Sequence, residues 1–205
     1  MLTPAIRTAL EEVGVSPPPD EEIEASYGEP IPVICERLMP GGGERVHMRF
    51  LEALRRAQRE TIRSGGESYP GVREMLSEVE DAGWGMAVCS NAGIEYIELV
   101  TEALAIRRFF KELSGISGEF DKAGRVREMA RRAGGLSVVI GDRYMDIEAA
   151  AACGLPSIGC RWGYGGEGEL EGATFSADSP AEVPSLLEAV RRGAVSGRSL
   201  YPPQR

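Results

Sequence analysis

The spacing of apolar positions along the chain changes near Ser68. Before that point, apolar residues recur every three or four positions, as they do on one face of an amphipathic helix. Proline and glycine runs, such as Pro17-Pro18-Pro19 and Gly41-Gly42-Gly43, interrupt the pattern. We therefore predict helices and no strand in this region, with the helices at residues 4–13, 20–27, 33–39 and 44–63.

After Ser68, short apolar runs alternate with helical patterns. The run L-S-V-V-I at residues 136–140 is the strongest predicted strand. Strands are predicted at 85–89, 112–116, 136–140, 156–160 and 173–176, and helices at 70–81, 94–104, 122–133, 146–153 and 179–191. This alternation is typical of an α/β fold with a parallel sheet flanked by helices. The predicted domains are a helical region at 1–67, an α/β core at 68–192 and a tail at 193–205.

The composition is that of an ordinary globular chain, with 205 residues, of which 42% are hydrophobic and 27% charged. The formal net charge of −9 argues against broad nucleic-acid binding, which needs a basic face, and leaves an acidic site for a divalent cation open. Four cysteines without a C-x-x-C pair, and a single histidine, argue against a disulfide framework or a zinc ribbon. We find no signal peptide and no membrane-spanning run, and we expect a cytoplasmic protein.

Candidate chemistry follows the predicted strands, because a parallel sheet binds ligands at the carboxyl ends of its strands. Ser90 and Asn91 come directly after the strand at 85–89. A hydroxyl and free backbone N–H groups at such a strand end favour an anion. Lys122 opens a later helix and offers a mobile positive charge suited to phosphate. Asp142 and Asp146 follow the strand at 136–140, and two carboxylates there suit a hard cation such as Mg²⁺.

Each of these residues also has an ordinary structural explanation. Ser90 and Asn91 are typical of a helix cap, Lys122 of a solvated surface and Asp146 of an N-cap. Asp142 needs a partner, since an acid directly after a buried strand is costly when unpaired. The ordered set of Ser-Asn, Lys and Gly-Asp-x-x-x-Asp, each one βα unit apart, is what indicates a phosphate site.

The same residues carry a resemblance to a known family. From Tyr69 to about Leu187 the chain resembles the haloacid dehalogenase-like (HAD) hydrolases, and within them the phosphoglycolate phosphatase-like branch. The matching text is Y-P-G-V-R-E-M-L, V-C-S-N-A-G, the pair Phe109-Phe110, Lys122, V-I-G-D-R-Y-M-D-I-E-A-A-A-A-C-G and I-G-C-R-W-G-Y-G. The resemblance implies a HAD-like Rossmannoid parallel sheet flanked by helices, with the first helical region as a small all-helical cap.

The resemblance also implies a role for each candidate. Ser90, with Asn91 behind it, would hydrogen-bond the phosphoryl group, and Lys122 would neutralise the phosphate and the nucleophile. Asp142 would ligate Mg²⁺, and Asp146 would help through water or by orienting Lys122. The cap would select the leaving group of a small phosphorylated metabolite, possibly phosphoglycolate. Arg161, Trp162 and Tyr164 would lie near the opening of the site, with Trp162 either packing the core or lining the pocket.

One departure from the family is large. The family's first motif, an apolar strand ending Asp-x-Asp-Gly-Thr that supplies the nucleophile and the proton donor, is not found in this chain. The segment F-D-K-A-G at 120–124 imitates it, but Ala123 replaces the second acid, so Asp121 is not the expected nucleophile. Asp20 follows three prolines and is expected to cap a helix. The first central strand, between those at 85–89 and 136–140, is therefore predicted to be missing. The sheet must then close up, recruit another segment or stay incomplete.

Three hypotheses follow. The first is a Mg²⁺-dependent phosphatase whose sequence here begins late, and which lacks activity as it stands. The second is a noncatalytic phosphate-binding or protein-interaction module on the same scaffold. The third, an unrelated doubly wound binding domain, would leave the ordered motifs as coincidences. We expect a small phosphorylated substrate, no nucleic acid, no membrane, and a monomer or homodimer, since an incomplete sheet favours pairing with a second chain.

Overall fold

The computed structural model describes residues 2–116 and 121–195. Helices alternate with short strands after residue 68, as predicted. The described helices are α1 (Leu2–Glu12), α2 (Asp20–Glu24), α3 (Ile31–Leu38), α4 (Gly43–Arg63), α5 (Val72–Asp81), α6 (Ile94–Ala103), α7 (Lys122–Ala133), α8 (Tyr144–Ala152) and α9 (Val183–Val195). The described strands are β1 (Met86–Cys89), β2 (Phe110–Ser114), β3 (Val139–Gly141), β4 (Ser157–Cys160) and β5 (Phe175–Ala177). Short 3₁₀ turns lie at Arg107–Phe109 and Pro180–Glu182.

Helices α1 to α4, which we call the helical segment, have a core of their own. Ile6, Leu10, Ile23 and Phe50 are almost completely buried and belong to one apolar cluster built from this segment alone. The apolar stripe of α4 faces that cluster, and truncating a buried phenylalanine such as Phe50 to alanine typically costs about 3–5 kcal/mol. The predicted helix pattern before Ser68 is therefore confirmed.

The predicted helix at 20–27 is too long, and its predicted cap is wrong. Pro19 occupies the N-cap position, and Asp20 is the first helical residue, with its carboxylate 2.6 Å from Arg7. The helix ends at Glu24, and the chain then turns through Gly28, whose φ of +82° lies in the left-handed region that favours glycine. The residues that follow Glu24 therefore leave the helix and extend to the α/β part of the chain.

The sheet is divided into two parts. Strand β1 pairs in parallel with β2, and β3 pairs in parallel with β4, which pairs in parallel with β5. Among the described residues no ladder joins β1 to β3. Within residues 2–116 and 121–195 the sheet neither closes up nor gains a strand between β1 and β3.

The edges of β1 and β3 that lack a partner strand differ from the outer edge of the sheet. The outer strand β2 contains Lys111 and Glu112, which are charges of the kind that protect an edge from further pairing. Strands β1 and β3 read M-A-V-C and V-I-G, and Ile140 in β3 remains 40% exposed. Strands β1 and β3, each paired on one side, therefore have the apolar sequence of interior strands.

Strand β3 is shorter than the predicted strand at 136–140. Its ladder begins where Val139 pairs with Ser157, the first residue of β4, and Leu136 lies outside it at 41% exposure. Strand β2 is likewise displaced from the predicted 112–116, because its register with β1 starts at Phe110. Apolar sequence alone does not define a strand's length, since each strand extends only as far as its partner.

The end of the described chain differs from the predicted tail. Helix α9 continues to Val195, past the predicted tail start at Gly193, and residues 196–205 lie outside the described residues. No helix in the described ranges is long and apolar enough to cross a membrane.

Candidate active site

Lys122 and Asp146 form an ion pair at the carboxyl end of β3. The Lys122 Nζ lies 2.7 Å from Asp146 Oδ1, and the two side chains are only 15% and 12% exposed. Helix α7 begins at Lys122 because Asp121 caps it, accepting a hydrogen bond from the backbone N–H of Gly124 at 2.7 Å. Asp121 is thus a helix cap.

The other oxygen of Asp146 stabilises the start of α8. Asp146 Oδ2 accepts a hydrogen bond from the backbone N–H of Arg143 at 3.2 Å, while the N–H of Asp146 donates to the Arg143 carbonyl at 2.9 Å. Gly141 is needed here, because a Cβ at that position would overlap the Asp146 side chain. The carboxylate is therefore fixed from both sides and holds Lys122 in place.

Asp142 lies beneath the glycine-rich loop that follows β4. Its Oδ2 accepts a hydrogen bond from the backbone N–H of Tyr164 at 2.8 Å. A Cβ at Gly163 would overlap the Asp142 side chain, and a Cβ at Gly165 would overlap its carbonyl oxygen. The two glycines are the positions at which the loop can approach Asp142 this closely.

Ser90 and Asn91 lie at the end of β1 and are joined to α7 through Arg125. The Ser90 hydroxyl accepts a hydrogen bond from the N–H of Ala92 at 3.1 Å. The buried Arg125 donates to the Ser90 carbonyl at 3.1 Å and to Asn91 Oδ1 at 2.8 Å. The Asn91 amide nitrogen donates to the Gly28 carbonyl at 3.0 Å and contacts Met145 Sδ at 3.4 Å.

The contacts above show which of the site residues predicted from the sequence lie together. Lys122 and Asp146 touch directly, and Asp142 follows Gly141, which packs on Asp146. Asn91 reaches α8 through Met145, and Ser90 is tied to α7, the helix that begins with Lys122. The residues from the ends of β1 and β3 and from the starts of α7 and α8 thus form one connected cluster. Their catalytic, phosphate-binding and metal-binding roles stay predictions.

The segment Tyr27-Gly28-Glu29 brings the helical segment onto this cluster. Arg143 donates to the Tyr27 carbonyl, and Tyr144 Oη lies 3.3 Å from Glu29 Oε1. The Tyr27 ring meets the Tyr164 ring edge to face, with centroids 4.7 Å apart. Gly28 packs against Arg143 and Met145, where a Cβ would come within 3.3 Å of each side chain.

Arg143 has its charge balanced by Glu169. The Arg143 Nε lies 2.8 Å from Glu169 Oε2, and the side chains are 8% and 24% exposed. Burial acts to raise the pKa of Glu169, but its hydrogen bonds with Arg143 and with the N–H groups of Tyr144 and Gly166 outweigh burial and lower that pKa. Glu169 therefore stays ionised beside the guanidinium.

Neutral groups also border the cluster. Burial raises the pKa of Tyr27 to about 12, against the effect of its hydrogen bond with Thr3, and neighbouring Tyr164 and Glu24 raise it further. Burial, and then the carboxylates of Asp142 and Asp146, raise the pKa of Cys160 to about 12. Cys160 is therefore a thiol at neutral pH and a poor nucleophile, although it lies near both acids.

The described residues do not by themselves fit a magnesium ion. One oxygen of Asp142 accepts the Tyr164 N–H, and both oxygens of Asp146 are engaged with Lys122 and Arg143. Within ranges 2–116 and 121–195, no group of three or more His, Cys, Asp or Glu side chains is placed to hold a metal ion. A Mg²⁺ site at Asp142 would need ligands beyond these.

Sequence reasoning missed several residues of the cluster. Arg125 could have been found, because it stands three residues after Lys122 on the same face of α7. Tyr27, Gly28 and Glu169 gave no signal, since they reach the cluster only through long-range folding. Of the loop residues expected near the opening, Trp162 packs against the core, Arg161 pairs with Asp178 at 3.0 Å, and Tyr164 is 48% exposed.

Comparisons with known proteins agree with this architecture. The sequence model of the haloacid dehalogenase-like hydrolase family matches residues 1–160. The phosphoglycolate phosphatase of Agrobacterium fabrum is 34% identical over 142 residues, which are 64% of this chain and 61% of that protein. The phosphoglycolate phosphatase of Pseudomonas syringae pv. tomato is 27% identical over 194 residues, 89% of this chain and 69% of that protein. The chain thus spans less than two thirds of the Agrobacterium relative.

A solved structure gives the same fold. The crystal structure of a predicted phosphoglycolate phosphatase from Haemophilus somnus 129pt superposes with a TM-score of 0.81 at 19% identity, covering 91% of this chain and 90% of that one. At that identity the likeness shows the fold alone. With the family match over residues 1–160, the chain belongs to the haloacid dehalogenase-like hydrolase family.

Proposed function

We propose that this chain carries the phosphoryl-binding centre of a phosphatase for small phosphorylated metabolites. The observation that carries the proposal is the buried Lys122–Asp146 pair beside Asp142 at the end of β3. Phosphoryl transfer depends on positioning and on electrostatic stabilisation of the phosphoryl oxygens. A lysine held rigidly by an acid, at the edge where strand ends meet helix starts, supplies that stabilisation.

The proposed roles follow the positions of the residues. Ser90 and the chain at Asn91 bind the phosphoryl group at the end of β1, and Lys122 neutralises its charge. Asp146 positions Lys122, because its Oδ1 accepts the ammonium group. Asp142 is the candidate ligand for Mg²⁺. The remaining ligands of the ion would have to come from groups that the described residues do not supply.

The gap between β1 and β3 is the proposed place of the missing nucleophile. Both strands have apolar sequences and no ladder between them, so an added parallel strand would complete the sheet. An acid at the carboxyl end of that strand would lie between Ser90 and Asp142. Cys160 does not replace it, because the raised pKa of its thiol keeps it protonated.

A second candidate function has an observation in its favour. The incomplete sheet, and the absence of a three-ligand metal cluster from the described ranges, suit a module that binds phosphate without turning it over. Both candidates use Lys122 to bind phosphate, and they differ in whether an added acid restores hydrolysis.

The test is to fuse an apolar strand ending Asp-x-Asp-Gly-Thr ahead of residue 1 and to measure hydrolysis of p-nitrophenyl phosphate with Mg²⁺ and with a chelator. The unmodified chain should give no Mg²⁺-dependent turnover, and the extended chain should give turnover. That turnover should be lost with Asp142→Asn or Lys122→Met and kept with the control Lys111→Met, which removes an exposed lysine of β2.

Two results would contradict the phosphatase proposal. An extended chain that folds, binds inorganic phosphate and shows no turnover would favour the binding module. Turnover by the unmodified chain that Asp142→Asn abolishes would reveal a different nucleophile and would remove the need for the added strand.

A further inference from the structure

The groove between α4 and α6 has one basic wall and one acidic wall. Helix α4 of the helical segment packs against α6 of the α/β part, and the groove between them has a volume of about 340 Å³. Its lining consists of two arginines of α4 and of three glutamates and a leucine of α6: Arg59, Arg63, Glu95, Glu98, Leu99 and Glu102. We call these six residues the charged groove.

The helical period places each wall on one face of its helix. In α6, Glu95, Glu98 and Glu102 are three and four residues apart and all exposed, so their carboxylates form one row. In α4, Arg59 and Arg63 are four residues apart and exposed in the last turns of the helix. The groove therefore presents opposite charges on its two sides.

The charged groove pairs its own charges only in part. The guanidinium of Arg59 lies 3.1 Å from Glu95 Oε2, and both side chains are more than half exposed. In the part of the chain that the structure describes, the side chains of Arg63, Glu98 and Glu102 form no ion pair. Carboxylates four residues apart on a helix repel each other, so the glutamate row gains from a further positive charge.

A second copy of the chain carries the charges that fit this groove. When two copies face each other across a twofold axis that runs along the groove, the arginine wall of one lies opposite the glutamate wall of the other. Arg63 of each copy then faces Glu98 of the other, and the two contacts are equivalent by symmetry. A partner with charges of one sign would be attracted by one wall and repelled by the other.

We propose that two copies of this chain associate through the charged groove into a twofold-symmetric dimer. Copies repel at long range, because each has a formal net charge of −9, so the dimer depends on the local match of opposite walls. Exposed ion pairs contribute little each, so the dimer is weak and depends on protein concentration. This interface is a surface that the proposed function does not use.

The test is sedimentation-velocity ultracentrifugation of the full chain at increasing concentration, with two charge reversals. Arg63→Glu and Glu98→Arg change exposed side chains that have no ion pair within the described residues, so each variant should keep the fold, which circular dichroism checks. Each reversal places like charges opposite each other and should raise the dissociation constant of the dimer at least tenfold.

Matched controls separate the groove from the effect of net charge. Arg55→Glu of α4 and Glu78→Arg of α5 make the same changes in net charge at exposed positions outside the groove. Both controls should leave the dissociation constant within about twofold of the wild-type value.

An equimolar mixture of Arg63→Glu and Glu98→Arg gives the sharpest result. In the mixed dimer each of the two contacts again joins one positive and one negative side chain, so the mixture should dimerise as tightly as the wild type. A wild-type chain that stays monomeric, a dimer that neither reversal weakens, or a mixture that stays as weak as its components would overturn the inference. None of these results bears on phosphate binding at Lys122.

Discussion

The Lys122 ammonium group lies 2.7 Å from the Asp146 carboxylate, and both side chains are largely removed from water. The pair joins the first residue of α7 to the first turn of α8. It is the direct contact that unites two motifs which are separate in the sequence. Lysine is rare in this chain, since Lys122 is one of two lysines among 23 basic residues.

Removing the ammonium group should destabilise the fold. Lys122→Met leaves Asp146 with an uncompensated charge, and we expect a loss of about 2–3 kcal/mol in the free energy of unfolding, below the ~3–5 kcal/mol of a fully buried pair. Urea unfolding measures it. The control Lys111→Met should stay within about 0.5 kcal/mol of the wild type. Equal losses in the two variants would show that the pair is not stabilising.

The loop over Asp142 should tolerate a methyl group at one glycine and not at another. Gly165→Ala places a Cβ onto the Asp142 carbonyl, so we expect a loss of about 1–3 kcal/mol and weaker binding of inorganic phosphate. In Gly166→Ala the nearest atom, Glu169 Oε1, lies at 3.5 Å, an ordinary contact. Denaturation and phosphate titration of both variants check this, and similar behaviour of the two would contradict the close approach of loop and acid.

The ionisation of Glu169 should make the free energy of unfolding depend on pH. Its pKa is lowered below the ordinary 4.5, so its contribution is complete above the unfolded pKa of about 4.5 and is lost as the pH falls through the lower folded value. Glu169→Gln should lower the free energy of unfolding by about 1–2 kcal/mol at pH 7, since it weakens a charged hydrogen bond. The difference from wild type should shrink below pH ~4.5.

Unfolding curves of wild type and Glu169→Gln at pH 7, 5, 4 and 3 test this, with Glu167→Gln, an exposed neighbour, as control. A difference that stays constant across this range would show that the loss comes from packing and not from charge.

The sequence predicted the class of fold and the order of its elements. Helix α7 was predicted with the observed bounds, because Gly134 is a strong local signal for its end; in the structure Asp121 caps its start. The predicted length of β3 was wrong, since it depends on the pairing with β4, and the predicted cap of α2 was wrong, since Asp20 is the first helical residue and pairs with Arg7. Local pattern identifies an element, and its neighbours decide where it stops.

The candidate site was likewise predicted only in part. Ser90, Asn91, Lys122, Asp142 and Asp146 follow from strand ends and helix starts, which are readable along the chain. Arg125 could have been included, because it shares a face of α7 with Lys122, whereas Glu169 gave no local signal; in the fold they bind Asn91 and Arg143. Tyr27 enters the site because Gly28 turns the chain after α2.

The phosphate site is tested most directly by titrating the isotope-labelled chain with inorganic phosphate and following the backbone amides by nuclear magnetic resonance. We expect saturable shifts at Ser90, Asn91, Lys122 and Asp142; Lys122→Met should weaken the binding at least tenfold, and Lys111→Met should leave it unchanged. Shifts that are absent, or that appear away from the ends of β1 and β3, would contradict the claim that these residues form one phosphate site.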